Sequence, residues 1–346
     1  MDATPAIAGR TGIARYVLDL AERLPGAGVE PHLFAVGRAA VPPPPGCRHL
    51  RIPARIVHRA WAARLPPAAE RITGRVDLVH ATSLLPPTTR RPIVMTVHDL
   101  DAIDHAELHP RRSTRALDAL VRHLDRAAVV LAVSETTADD LVRRGIERER
   151  IVVTPNGRVE LGPPAAARVQ DGPFLLAVGE QMPRKNLSAL VRTWAACPAL
   201  PPLVHAGPAG SDTARLQALV QELGLAGRVR FLGYVDPPVL SRLLRDARAL
   251  CFPSVAEGFG LPVLEAMAAG LPVVASDLPV IREVTAGHAL LVPSGDVDAW
   301  AGAVTRVLDD DALRDELVAA GRVRASTYTW ERCAELTAAA YRRVLS

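Results

Sequence analysis

The sequence predicts a two-domain α/β protein, each half a parallel sheet covered by helices. Three observations carry this. Short apolar runs alternate with amphipathic helical stretches along the whole chain, the pattern of parallel sheets wrapped by helices. The apolar density breaks at 159–172 (VELGPPAAARVQDG), a linker by composition. At 346 residues, 49% of them apolar, the chain can fill two sizeable cores. The result is two Rossmann-like halves, 1–160 and 161–328, with a cleft between them and a last segment at 329–346.

In the first half, Thr11-Gly12-Ile13 opens a helical run from Ala14 to Arg23. Apolar runs at 32–36, 76–80, 93–97, 129–133 and 151–154 read as strands. In the second half, strands are expected at 174–178, 203–205, 229–232, 250–252, 273–275 and 290–292. Between the first two of these lies a helix from Leu187 to Ala195. The run VLEAMAA is also helical, with Pro262 at its first position and Gly270 just past its end.

The segment Glu257 to Glu265 (EGFGLPVLE) is the most informative about chemistry. Gly258, Phe259, Gly260 and Leu261 form the loop at a helix N-terminus, where main-chain N–H groups and the helix dipole favour an anion such as phosphate. Glu257 precedes the loop and Glu265 falls in the helix's first turn. Two carboxylates cannot bind an anion, but they can accept hydrogen bonds from hydroxyls on either side of one. A nucleotide diphosphate-sugar has that layout. A solvated helix start, with Glu265 an ordinary first-turn acid, fits the spacing equally well.

A second signal is compositional. Lys185 is the one lysine among 41 basic residues. In so arginine-rich a chain, a retained lysine suggests a need for a compact ammonium instead of a planar fork. Arg184 and Lys185 lie in a loop after the 174–178 strand, and ligands of open α/β sheets bind beyond the carboxyl ends of strands. His98 ends the 93–97 run, Asn156-Gly157 follows 151–154 and Gly207 follows 203–205, all at strand carboxyl ends.

These residues carry a resemblance. The chain resembles a family 4 glycosyltransferase of the retaining, nucleotide-sugar-dependent GT-B class. The matching elements run in family order: TGIARYV (11–17), HATSLLPP (80–87), TVHDL (96–100), AVSE (132–135), VTPNG (153–157), PRKN (183–186), FLGYV (231–235), EGFGLPVLEAMAAGLPVVASD (257–277) and TWER (329–332). The resemblance covers essentially the whole chain; the 257 segment and PRKN are its specific parts. It implies two Rossmann-like domains facing across a cleft, with a last helix at about 329–345 crossing back to the first. It implies catalytic roles for His98, Arg184, Lys185 and Glu257. It places the donor against Gly12, Asn156, Gly207, Gly258, Phe259, Gly260, Leu261 and Glu265, with the base at Val235. The donor is expected to be GDP-mannose or a UDP-sugar, with no further cofactor and no metal. The Asp99-Leu100-Asp101 pattern is discounted, since the metal-dependent enzymes that use it have another fold. The acceptor is expected to be a glycan, a lipid-linked molecule or a small molecule. Two rivals remain: a non-catalytic GT-B subunit, and a same-fold nucleotide-sugar epimerase or phosphorylase.

One departure stands out. The family's first domain opens with an apolar strand before Asp-Ala-x-Pro, but here Met1 leads directly into Asp2-Ala3-Thr4-Pro5. Without that central strand a gap and unpaired backbone groups are expected, and with them a natural start further upstream. Extending the chain upstream should then raise the melting temperature, and no gain would refute this.

Composition narrows the rest. Four scattered cysteines read as free thiols of a reducing compartment. No signal peptide and no run of roughly 18 apolar residues is visible, which points to a cytoplasmic protein. Residues 38–75 hold eight arginines and a single acid, Glu70. With Trp61, this stretch suits peripheral contact with the inner face of a membrane, or simply a solvated helix face. Nucleic acid is disfavoured, because aromatic residues are 4% and do not interleave with the arginines. No P-loop, HExxH or G-x-S-x-G pattern occurs.

Overall fold

The computed structural model describes the chain except Arg10, Leu84, residues 110–120 and Leu161. The described residues fall into two units. The first holds Met1–Ala106, 121–157 and Tyr328–Ser346; the second holds Glu107–His109 and Arg158–Thr327.

In the first unit, β1 (Phe34–Val36) pairs with β2 (Arg48–Leu50), and β3 (Val79–Ala81), β4 (Ile93–Val97), β5 (Val129–Ala132) and β6 (Ile151–Val153) form a second parallel sheet in chain order. The expected gap beside β1 is not there. Asp2 N–H donates to His80 O at 2.9 Å, Ala3 N–H to Phe34 O at 2.6 Å, and Phe34 N–H to Met1 O at 3.1 Å. Met1–Ala3 therefore lies between β1 and β3 and joins the two sheets. The helix Trp330–Leu345 packs in this unit: Trp330, Cys333, Ala334 and Tyr341 share a core with Tyr16, Val17 and Leu20. Gly157 lies under its start, where a Cβ would fall 2.4 Å from Trp330 N.

Trp61 corrects one expectation. The helix Ala54–Ala62 is amphipathic, and Val57 and Trp61, four apart, face inward. Trp61 is fully buried, packs edge-on against Phe34 and donates its indole N–H to Pro67 O at 2.8 Å. It belongs to the core and cannot dock on lipid.

The second unit is a six-stranded parallel sheet in the order β12-β11-β10-β7-β8-β9. Its strands are β7 (Leu175–Val178), β8 (Leu203–Ala206), β9 (Val229–Phe231), β10 (Leu250–Phe252), β11 (Val273–Ser276) and β12 (Leu290–Val292). Trp194 and Trp300 anchor one face. Both are fully buried, and each indole N–H donates to a proline carbonyl, Pro201 at 2.7 Å and Pro293 at 3.2 Å. Truncating either would cost about 3–5 kcal/mol.

Candidate active site

The sheet order of the second unit creates the site. β7 and β10 are neighbours, but the chain runs from β7 to β8 on one side and from β10 to β11 on the other. The loops beyond the two carboxyl ends diverge, and such a switch point is where open α/β sheets bind ligands. One flanking loop carries Gly179 to Asn186, the other Pro253 to Gly260.

Three charged groups meet there. Lys185 Nζ lies 2.5 Å from Glu257 Oε1, and Arg184 Nη1 lies 3.3 Å from Oε2. Arg184 is also fixed through its main chain: its carbonyl accepts from Val255 N–H at 2.9 Å. Its guanidinium donates to Ala256 O at 3.1 Å. The Lys185 ammonium sits 5.0 Å from the centre of the Phe252 ring, within cation–π range. The Glu257 side chain is 8% exposed. Burial alone would raise its carboxyl, but Lys185 and Arg184 outweigh it and hold it at about 2. Glu257 is thus an ionised acceptor of hydrogen bonds at neutral pH and not a proton donor.

Glycines shape both loops. Gly179 has φ +145°, and a Cβ there would meet the Lys185 stem at 3.4 Å. Gly207 lacks a side chain because the protein itself needs the space: a Cβ would lie 1.8 Å from Gly179 O. That explains Gly207 without a ligand. His205 braces the same loop, with Nε2 2.8 Å from Gly179 O. A carbonyl only accepts, so Nε2 carries the proton; burial pushes this imidazole down to about 4 and keeps it neutral.

The helix after β10 runs Leu261–Ala269, so Leu261 is its first residue and Pro262 its second. Gly260 caps it at φ +97°, with Ile281 Cδ1 2.8 Å from where a Cβ would stand. The boundary shift moves Glu265 out of the first turn: it is the helix's fifth residue and is 5% exposed. The helix start still presents main-chain N–H groups and the positive dipole end beside the charged cluster. Phe259 is buried, Gly258 half-buried, and Val235 half-buried in the loop after β9.

The remaining candidates belong to the first unit. Gly12 begins an exposed helix end at which Thr11 Oγ1 accepts from Ala14 N–H at 3.1 Å. Asn156 is buried, and its Oδ1 has no hydrogen-bond partner among the described residues. His98, just past β4, is pushed down to about 4 by burial, opposed by a hydrogen bond to the Thr82 backbone. Its Nε2 is buried with no partner among the described residues, so the bond to Thr82 runs from Nδ1 and the lone pair stays on Nε2.

Sequence reasoning missed three residues of the second unit: His205, Phe252 and Asn186. Asn186 caps the helix Leu187–Ala196 in the left-handed region (φ +47°) and donates from Nδ2 to Ser294 O at 2.8 Å. Its sequence signal is the residue type: asparagine is among the few non-glycine residues that tolerate this backbone.

Comparison with known proteins decides the family. The model of Glycosyltransferase Family 4 matches residues 10–158, and that of Glycosyl transferases group 1 matches 163–324. The chain is 30% identical to the O-antigen chain mannosyltransferase B of Escherichia coli, over 83% of this chain and 78% of that one. The chain belongs to glycosyltransferase family 4. It is also 30% identical to the D-inositol 3-phosphate glycosyltransferase of Nocardia farcinica, over 96% of this chain and 85% of that one. Among solved structures, the sucrose-phosphate synthase of Thermosynechococcus elongatus superposes with a TM-score of 0.76 at 27% identity, covering 96% and 93% of the two chains. Anabaena HepE in complex with UDP-glucose gives 0.74 at 19% identity, covering 97% and 96%, which speaks to the fold. The fold is GT-B and the protein is a glycosyltransferase.

Proposed function

We propose that this glycosyltransferase moves a hexosyl group, with retention, from a nucleotide diphosphate-sugar to an acceptor hydroxyl. The observation that carries this is the Arg184–Lys185–Glu257 cluster at the switch point, beside a helix N-terminus. Arg184, Lys185 and the helix start supply positive charge for the leaving diphosphate, without requiring a metal. Glu257, locked in its ionised form, accepts hydrogen bonds from hydroxyls of the transferred sugar. Glu265 holds the ribose diol, and the loop at Val235 receives the base. For His98 the proposed role is to accept a hydrogen bond from a sugar hydroxyl through its Nε2 lone pair. No side chain of the cluster suits a covalent nucleophile, because Glu257 is engaged by two cations. The leaving phosphate itself takes the acceptor's proton as attack occurs on the same face.

Mannose is the favoured sugar and GDP-mannose the favoured donor, supported by the mannosyltransferase relative. The acceptor is a glycan, a lipid-linked molecule or a small molecule. Peripheral membrane contact is supported by the helix Ala54–Ala62 and its approach: Arg51, Arg55 and Arg59 are exposed beside Ile52 and Ile56, which are 41% and 52% exposed. Among the described residues no helix is long and apolar enough to cross a membrane.

Thermal shift with GDP-mannose, UDP-glucose and UDP-N-acetylglucosamine tests the reading, on wild type and Lys185→Ala. Stabilisation of wild type by one donor, lost in the variant, supports it and selects the donor. No stabilisation by any of the three would favour a non-catalytic GT-B subunit instead.

A further inference from the structure

We infer that Tyr16 is a positioning residue for His98, and that it is itself held by a buried hydrogen-bonded chain anchored on the C-terminal helix. This rests on the reading of His98 given above. All the groups lie in the first unit. The Tyr341 hydroxyl is 2.6 Å from His80 Nδ1, His80 Nε2 is 2.7 Å from Thr96 Oγ1, and Thr96 Oγ1 is 2.9 Å from the Tyr16 hydroxyl. All four residues are buried. The Tyr16 ring meets His98 edge-on, with centroids 4.8 Å apart and planes at 84°.

The strand geometry explains the arrangement. Thr96 lies in β4 and His98 just past its end, two positions on, so the strand alternation carries both to the same side. Tyr16 spans both: its hydroxyl is tied to Thr96 and its ring lies against His98. Burial pushes His80 down to about 3, so one ring nitrogen donates and the other accepts. Burial also pushes both tyrosines up, which keeps their hydroxyls protonated. The chain therefore survives across the physiological pH range. Apolar side chains would fill this space without any demand for hydrogen bonds. A fully connected polar chain instead fixes one orientation of the ring. The ring in turn confines an imidazole whose Nδ1 is tied to Thr82 and whose Nε2 carries the lone pair.

The test uses the full chain labelled with 15N-histidine, as wild type, Tyr16→Phe and Thr96→Val. Wild type should show His98 as the Nδ1–H tautomer at pH 7 with a depressed pKa. Both variants should mix in the other tautomer and move the His98 titration toward its ordinary range. GDP release from GDP-mannose gives the second readout. Tyr16→Leu should lose about 10–100-fold in kcat with donor KM changed less than twofold, and no more when combined with His98→Ala. An unchanged His98 tautomer and titration in both hydroxyl variants would overturn the inference. So would a loss from Tyr16→Leu that persists in full without His98. Wild-type turnover by His98→Ala would instead overturn the reading of His98, and the tautomer measurement would still decide whether Tyr16 positions it.

Discussion

Replacing Lys185 by methionine removes the ammonium and keeps a stem that can lie along Phe252 and Gly179. Glu257 then retains Arg184 at 3.3 Å. Removing one partner of a buried pair costs about 3–5 kcal/mol, because the survivor is left uncompensated. The remaining guanidinium reduces this to about 2–3 kcal/mol. In a domain of this size each kcal/mol lowers Tm by about 2–4 °C, so a fall of roughly 4–12 °C is expected at pH 7. Glu257 is held below its ordinary 4.5, at about 2. Its stabilising effect is complete above about 4.5 and is lost as pH falls toward 2. Lys185→Met should therefore flatten the Tm profile in that window. Turnover, followed as GDP release, should fall about 10²–10³-fold. Lys185→Arg should not restore it, because a second, bulkier guanidinium beside Arg184 cannot put a compact ammonium on Glu257 Oε1. Calorimetry from pH 2 to 7 checks the stability argument. A Tm within about 1 °C of wild type at pH 7, with donor stabilisation intact, would refute it.

Gly207→Ala drives a Cβ to within 1.8 Å of Gly179 O and should destabilise by at least about 3 kcal/mol, read from the denaturant midpoint. Gly260→Ala combines φ +97° with a 2.8 Å contact to Ile281 and should cost about 1–3 kcal/mol while weakening donor binding in calorimetry. The double change Arg55→Glu and Arg59→Glu should leave Tm within about 2 °C and abolish flotation with vesicles rich in anionic lipid. Unchanged flotation would remove the membrane role from this helix.

All but one of the strands were legible from their apolar residues, even β9 (Val229–Phe231), whose Arg230 is exposed. β2 (Arg48–Leu50) is half-exposed, and Arg48-His49 breaks any apolar run, so only the fold reveals it. Trp61 was legible in principle: its four-residue spacing from Val57 marks an inward face, although the eight arginines of 38–75 carry the opposite signal of a solvated surface. Glu265 was misplaced by one residue of helix start, since Gly260 rather than Leu261 takes the left-handed cap. The individual residues Arg184, Lys185 and Glu257 could be singled out from composition and turn chemistry. Their contact could not. Lys185 and Glu257 are 72 positions apart, and they meet because β10 pairs with β7 out of chain order. The buried chain from Tyr341 to Tyr16 was hidden for the same reason, its first link spanning 261 positions.

The cluster's charge balance makes the proposed donor role of Glu257 testable apart from its structural role. Two cations face one carboxylate, so a diphosphate arriving at Arg184 and Lys185 must share them with Glu257 and is repelled by it. Glu257→Gln keeps the shape, removes the competing charge and leaves both cations to the ligand. GDP should then bind about 5–30-fold more tightly, a gain of about 1–2 kcal/mol. Turnover should fall, because the amide is a poorer acceptor for the sugar's hydroxyls. A residue that merely stabilised the loop would show the opposite sign, since a loosened loop weakens GDP along with turnover. Titration calorimetry with GDP at pH 7, on wild type and Glu257→Gln, separates the two. Weaker binding by the variant would place Glu257 among the residues that hold the fold and take it out of the donor site.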